Sequence, residues 1–224
     1  MKRLLGCGSA VLILWILAGC QTQPARAPAP APPSGSAAQA AVILRPPDHS
    51  IVHPASGMRF PESVAEFRRG DFTQSPNGGL LFTCDYRLSG PGAPVTATVT
   101  LYPAPSATAE HEGLIREARP GLADAEYQME VKKILNDHPQ TTVVAEHEYA
   151  LAQGVSRHVG RFVEFEYPDH VAGKLQNLTT RLYLFNNVDE TWAVKFRFTY
   201  PHGAPADKVV TDFLAELRWS LRDS

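Results

Sequence analysis

Two stretches in which every second residue is apolar constrain this chain more than any other feature. Leu80, Phe82, Cys84, Tyr86 and Leu88 alternate with Thr83, Asp85 and Arg87, and Val95, Ala97, Val99 and Leu101 alternate with Thr96, Thr98 and Thr100. Successive side chains on a strand point to opposite faces, so this period of two gives each strand one buried and one solvated face. The Gly90-Pro91-Gly92 turn between the runs makes them a hairpin. Leu178, Thr180, Leu182 and Leu184, then Asn186-Asn187, then Trp192, Val194, Phe196, Phe198 and Tyr200 repeat the pattern as a second hairpin. Residues 142 to 151 and 155 to 167 read as two further strands joined near Gly154, with a bulge expected at Gly160.

Helical spacing replaces alternation in two places. Over residues 107 to 137, Leu114, Ile115, Ala118, Leu122, Ala125, Met129 and Ile134 fall at about helical intervals, and Pro120 predicts a break or kink. A last helix begins at Pro205, with Asp207 near its positive end and an apolar stripe of Val209, Val210, Phe213, Leu214, Leu217 and Leu221. The expected fold is α+β: an antiparallel β-sheet of about six strands in hairpins, covered by two helices. Residues 42–224 show neither an internal repeat nor a second linker, so they are read as a single α+β domain.

The N-terminus is different in kind. Lys2 and Arg3 precede an apolar run from Leu4 to Leu17, shorter than the ~20 residues a spanning helix needs. It ends in Leu17-Ala18-Gly19-Cys20, which resembles the lipobox of bacterial lipoproteins. That resemblance implies a signal peptide over 1–19, cleavage between Gly19 and Cys20, and lipidation of the Cys20 thiol. Two or three acyl chains would hold the chain durably at a membrane. Position 21 is Gln and lacks the Asp that resembles an inner-membrane retention signal. The implied location is therefore the inner leaflet of an outer membrane, with the domain facing the periplasm.

Residues 20–41 hold the lipidated Cys and a tether, with five Pro and eight Ala after Cys20. Such a spacer is semi-rigid and partly polyproline, with a reach on the order of 60 Å. Once Cys7 leaves with the leader and Cys20 carries lipid, Cys84 is the one thiol left, and its core-facing strand position makes it a small buried hydrophobe.

A second resemblance runs from about Phe60 to Leu217. Phe60-Pro61-Glu62, Phe67-Arg68-Arg69-Gly70, the Gly79 to Tyr86 strand, Val95 to Pro103 and Val194 to Pro201 resemble a family of uncharacterised bacterial envelope proteins. The motifs are structural, and no activity comes with them. The element order also resembles the PsbP-like α/β/α sandwich, whose members are mostly non-catalytic binding or assembly modules. That resemblance implies a fold and leaves function open.

Net charge is −2, with no basic excess to displace counterions, so nucleic acid is not an expected partner. The chain contains no G-x-S-x-G, H-E-x-x-H, phosphate-binding loop or paired C-x-x-C. Ser156, in Gly154-Val155-Ser156-Arg157-His158, lacks the second glycine of a nucleophile elbow and reads as hairpin strand. Asp48, His49 and His53 have ligand-like spacing but read as a solvated approach to the domain, and Glu110-His111-Glu112 reads as an acidic first helical turn. His147 points away from Glu146 and Glu148. No catalytic residue, metal or cofactor is therefore expected.

Two surface features remain. Glu164 and Glu166 share one strand face about 7 Å apart, a spacing paired catalytic carboxylates use. Arg157, Arg161, Arg181, Lys195 and Arg197 are available to pair with them on a charge-balanced outer face. Arg68 and Arg69, beside Phe67 and Phe72, form a basic and aromatic patch suited to an anionic partner or lipid headgroups. The leading expectation is a non-catalytic, membrane-anchored module that binds another envelope protein or polymer. The alternatives are an envelope hydrolase using Glu164 and Glu166, or a carrier with an apolar cavity behind Phe82, Val99, Phe196 and Phe213.

Overall fold

The structure, a computed structural model, describes residues 49–75, 79–88, 94–104, 112–153, 156–188 and 191–218, and only the backbone of 112–123 and 187. The signal segment with Gly19 and Cys20, the tether, Asp48, the Gly90-Pro91-Gly92 turn, Glu110, His111, Gly154 and Leu221 lie outside these residues. The described chain runs β1 (Ile51–Val52), β2 (Arg59–Phe60), β3 (Ser63–Val64), β4 (Phe67–Gln74), β5 (Phe82–Leu88), β6 (Val95–Pro103) and α1 (Glu112–Asp137). It continues through β7 (Thr142–Gln153), β8 (Ser156–Val171), β9 (Lys174–Val188), β10 (Trp192–Pro201) and α2 (Asp207–Glu216).

The α+β assignment holds, with more strands than the sequence pattern predicted. Eight strands form one antiparallel sheet in the order β3-β4-β5-β6-β10-β9-β8-β7, and β1-β2 is a separate short ribbon. The additions all precede β5. In β4, Arg68-Arg69-Gly70-Asp71 interrupts the alternation at a register shift between Arg69 and Phe72, so the strand leaves no clean period of two. The bulge expected at Gly160 is absent: Gly160 pairs with Tyr149, and the irregularity in that ladder lies between Val143 and Ala145. Leu80 precedes β5 and is exposed.

One sheet face carries the larger core. Phe82, Tyr86, Val99, Phe196 and Phe198 are fully buried beneath Phe213 and Leu214 of α2 and Met58 and Phe60 of the N-terminal segment. Phe213 meets Phe67, Tyr86 and Phe198 edge to face, with centroids 4.9, 5.2 and 5.4 Å away. Cys84 is fully buried in this layer, and burial pushes its thiol up to about 12. The opposite face carries α1, whose Tyr127, Val131 and Ile134 pack on Val163, Phe165, Leu182 and Leu184. Helix α1 continues through Pro120 without a break, and Ala125 and Met129, expected in its core stripe, are exposed. Among the described residues, no helix is long and apolar enough to cross a membrane.

His53 overturns the reading of its segment as a solvated approach. It is fully buried, between Phe82 and Trp192 with ring centroids at 5.9 and 5.0 Å. Its Nε2–H donates to the Gly79 carbonyl at 2.9 Å, and Nδ1 accepts from the Ser56 hydroxyl at 2.8 Å. A carbonyl can only accept, which fixes the proton on Nε2. Burial lowers the His53 pKa from its ordinary 6.5, although the Gly79 hydrogen bond works in the opposite direction.

The unfolded chain therefore binds this proton more readily than the folded one. The His53 contribution is whole above the unfolded value and is lost as pH falls below it. Urea midpoints are expected to decline between pH 7.5 and pH 5, with a shallower decline in His53→Gln. Equal slopes would show that His53 does not link folding to pH.

Candidate functional site

Among the described residues, helix α1 packs over β8 and β9 of the outer sheet face, leaving a groove of about 690 Å³ against the outer faces of β5, β6 and β10, where Thr100 is buried and Thr83, Thr98, Lys195 and Arg197 are half-buried. The pleat sets its floor, because residues directly opposite in adjoining strands share a face. Thr83 lies opposite Thr100, and Thr100 opposite Lys195; Asp85 lies opposite Thr98, and Thr98 opposite Arg197. A third row joins Arg87, Thr96 and Thr199, of which Thr96 and Thr199 line the groove and Arg87 lies beyond it. The far wall is the polar side of α1, with Glu126, Glu130 and Lys133, and His138 just past its end.

The floor is tied together by hydroxyl bonds. Thr98 donates to Asp85 Oδ1 at 2.7 Å, Thr96 to the Thr199 carbonyl at 3.2 Å, and Thr83 to Thr100 Oγ1 at 3.4 Å. Arg197 Nη2 donates to the Tyr167 hydroxyl at 3.2 Å. The wall is fixed by Lys195 Nζ at 2.7 Å from Glu130 Oε1 and by His138 stacked on Tyr167 at 3.9 Å between centroids. Burial raises the Glu126 pKa above its ordinary 4.5 against the opposing pull of Tyr102 and Lys195, while Glu130 adds to the rise. Tyr102 is raised by its own burial and then by Glu126. Among the described residues, neither Tyr102 Oη nor Glu126 Oε2 has a well-formed hydrogen bond.

The carboxylates singled out in the sequence lie on the other face. Glu164 pairs with Arg181, which also holds Asp207 Oδ1 at 2.6 Å, and Glu166 lies 3.1 Å from His202 Nδ1. Arg161, Lys195 and Arg197 are not their partners. Arg161 binds Glu146 at 3.0 Å, with its guanidinium 4.9 Å above the Tyr127 ring, and the other two line the groove. Odd- and even-numbered positions of β8 face opposite ways, so the one charge-balanced face expected from sequence is two faces. Ser156 lies opposite Gln153, whose side chain donates to the Leu214 and Leu217 carbonyls. His147 packs on the Phe162 ring at 4.6 Å, away from the ion-paired Glu146. Among the described residues, no three His, Cys, Asp or Glu side chains gather to hold a metal ion.

The Arg68 and Arg69 patch divides. Arg69 is a structural residue, with Nη1 donating to the Phe60 carbonyl and Nη2 to the His49 carbonyl at 2.9 Å, and this ties the N-terminal segment to β4. Phe67 is fully buried, and Phe72 stacks on Phe82 at 5.7 Å, so neither offers an open ring. Arg68 alone of the pair is exposed.

No protein-family model matches this chain, and no curated protein is similar to it. The groove was missed because it joins Thr96, Thr98 and Thr100 to Lys195 and Arg197 and to the i, i+4, i+7 series Glu126, Glu130 and Lys133. Each set reads separately as a solvated face. The available signal was a strand face built of threonine followed by a helix with a consistently charged side.

Proposed function

We propose that the chain is a non-catalytic lipoprotein, anchored through lipidated Cys20 to the inner leaflet of an outer membrane, and that its periplasmic domain binds another envelope component. The observation carrying this reading is the groove on the outer sheet face, presented beside a helix that, among the described residues, covers only part of that face. Concave sites with both polar and apolar lining are where ligands are usually held. Glu164 and Glu166 favour binding over hydrolysis, since Glu164 is engaged by the Arg181 guanidinium and Glu166 lies against the His202 ring, each with a different partner. Phe82, Val99, Phe196 and Phe213 are fully buried in a ring-packed layer, which favours the groove over an interior carrier site. A sheet with α1 on one face and α2 on the other supports the likeness to PsbP-like sandwiches.

The test is in-cell crosslinking of the lipidated protein, solubilisation in mild detergent and mass spectrometry of what co-purifies. A non-lipidated 42–224 chain is the control. One reproducible envelope partner, lost in the control, is the expected result. No partner above background would overturn the adaptor reading.

A further inference from the structure

We infer that the groove, together with the row of outer-face residues that continues from its floor across β5 and β4, receives an anionic saccharide, meaning a sugar that carries a phosphate or carboxylate, and that Arg68 and Arg87, which lie just beyond the residues lining the groove, grip its charged group. This rests on the reading of the groove as the binding face. Arg68 lies directly opposite Arg87, Arg87 opposite Thr96, and Thr96 opposite Thr199, so the two arginines extend one row to β4, beside the edge strand β3, whose Ser63 lies opposite Arg68. At ~4.8 Å per strand the row spans about 14 Å. Both arginines are exposed, and among the described residues neither makes an ion pair or hydrogen bond. Asp85, two residues from Arg87 on the same face, is engaged by Thr98.

Like charges directly opposite on a sheet repel, and a bridging anion removes that cost. Guanidinium forks match phosphate and carboxylate oxygens two at a time. The rest of the row selects the body of the ligand. The hydroxyl protons of Thr96 and Thr98 are engaged with protein acceptors, which leaves oxygen lone pairs towards the groove. A donor end at Arg68 and Arg87 beside acceptor oxygens at Thr96 and Thr98 asks for an acceptor head on an O–H-bearing body, as in a sugar acid or sugar phosphate. An extended peptide fits less well. Strands β5, β6 and β10 are each paired on both sides, so the floor has no open backbone edge for strand addition.

Equilibrium dialysis of the full mature chain in detergent micelles tests this, with radiolabelled glucose 6-phosphate, glucose, glycerol 3-phosphate and inorganic phosphate. Glucose 6-phosphate is expected to bind most tightly. Arg87→Ala and Arg68→Ala should each weaken it roughly tenfold, the scale of one lost charge-assisted contact. Thr96→Val should weaken glucose 6-phosphate while leaving the feeble binding of phosphate unchanged.

The assignment is overturned by equal binding of inorganic phosphate, which marks an anion patch, or of glycerol 3-phosphate, which marks a lipid-headgroup site. It is also overturned by equal binding of glucose, by no binding, or by binding indifferent to both arginine variants. If crosslinking still finds a partner while glucose 6-phosphate fails, the binding-module reading stands and this ligand class falls.

Discussion

Gly160→Ala is expected to cost the domain about 3 kcal/mol of stability, at the upper end of what overpacking a core ordinarily costs. A Cβ at this position would stand 2.3 Å from the Leu184 carbonyl oxygen and 2.7 Å from Cδ1 of Phe185. The first obstacle is backbone, and it belongs to β9, which is hydrogen-bonded to β8 on one side and β10 on the other. It cannot recede without disturbing two ladders. Phe185 is fully buried, so its ring has no vacant volume to enter. The strand thus uses glycine to let the next strand and its aromatic ring approach, and the close approach alone explains the residue.

Gly70→Ala is the matched control. It is also a strand glycine, but its nearest foreign atom to a new Cβ is the Asp85 carbonyl oxygen at 3.6 Å, an ordinary contact. With a urea m-value of about 2 kcal/mol/M, Gly160→Ala should lower the midpoint by about 1.5 M, while Gly70→Ala leaves it nearly unchanged. Coincident midpoints for the two variants would show that the approach of β9 is not close enough to exclude a methyl group.

Gly160 also shows what alternation reveals and what it hides. The period of two located β5, β6 and β10 because each turns one apolar face to the layer beneath α2, and burial is the force that writes the pattern. Strand β9 buries both faces, Leu178, Leu182 and Leu184 under α1 and Tyr183 and Phe185 in the α2 layer, so its leucines share a face with Lys195 and Arg197 and not with the aromatic residues of β10. The same pattern marked Cys84 as a core position. It could not tell whether a strand glycine signals a bulge or a close neighbour, since the neighbour, β9, is brought in by tertiary pairing. His53 was misread for a similar reason: its partners Gly79, Phe82 and Trp192 are distant in sequence, and one histidine among prolines carries no period. Arg68 was legible as an exposed cation, but its facing partner is Arg87 and not its neighbour Arg69. Adjacent residues on a strand point apart, so a pair seen side by side in sequence is seldom a pair in space.

Cys20→Ser carries the largest expected effect on behaviour in the cell: the protein moves from the membrane pellet to the soluble fraction, and its crosslinked partner disappears. The thiolate is the stronger nucleophile, so serine at this position is a poor acceptor for the lipid. Each buried CH₂ of an acyl chain contributes about 0.8 kcal/mol, which makes one chain marginal and two or three a stable anchor. Net charge is −2, and no described helix is long and apolar enough to span a bilayer. High salt should fail to release the wild-type protein if acyl chains hold it, because an acyl anchor is hydrophobic and is not screened. The 42–224 domain should melt at the same temperature in both forms, since position 20 lies outside it. If Cys20→Ser stays in the pellet and its mass retains residues 1–19, the uncleaved Leu4 to Leu17 segment is the anchor and the lipobox reading fails. If it is released while the partner is still captured, the domain finds its ligand without the membrane, and the tether sets only where the two meet.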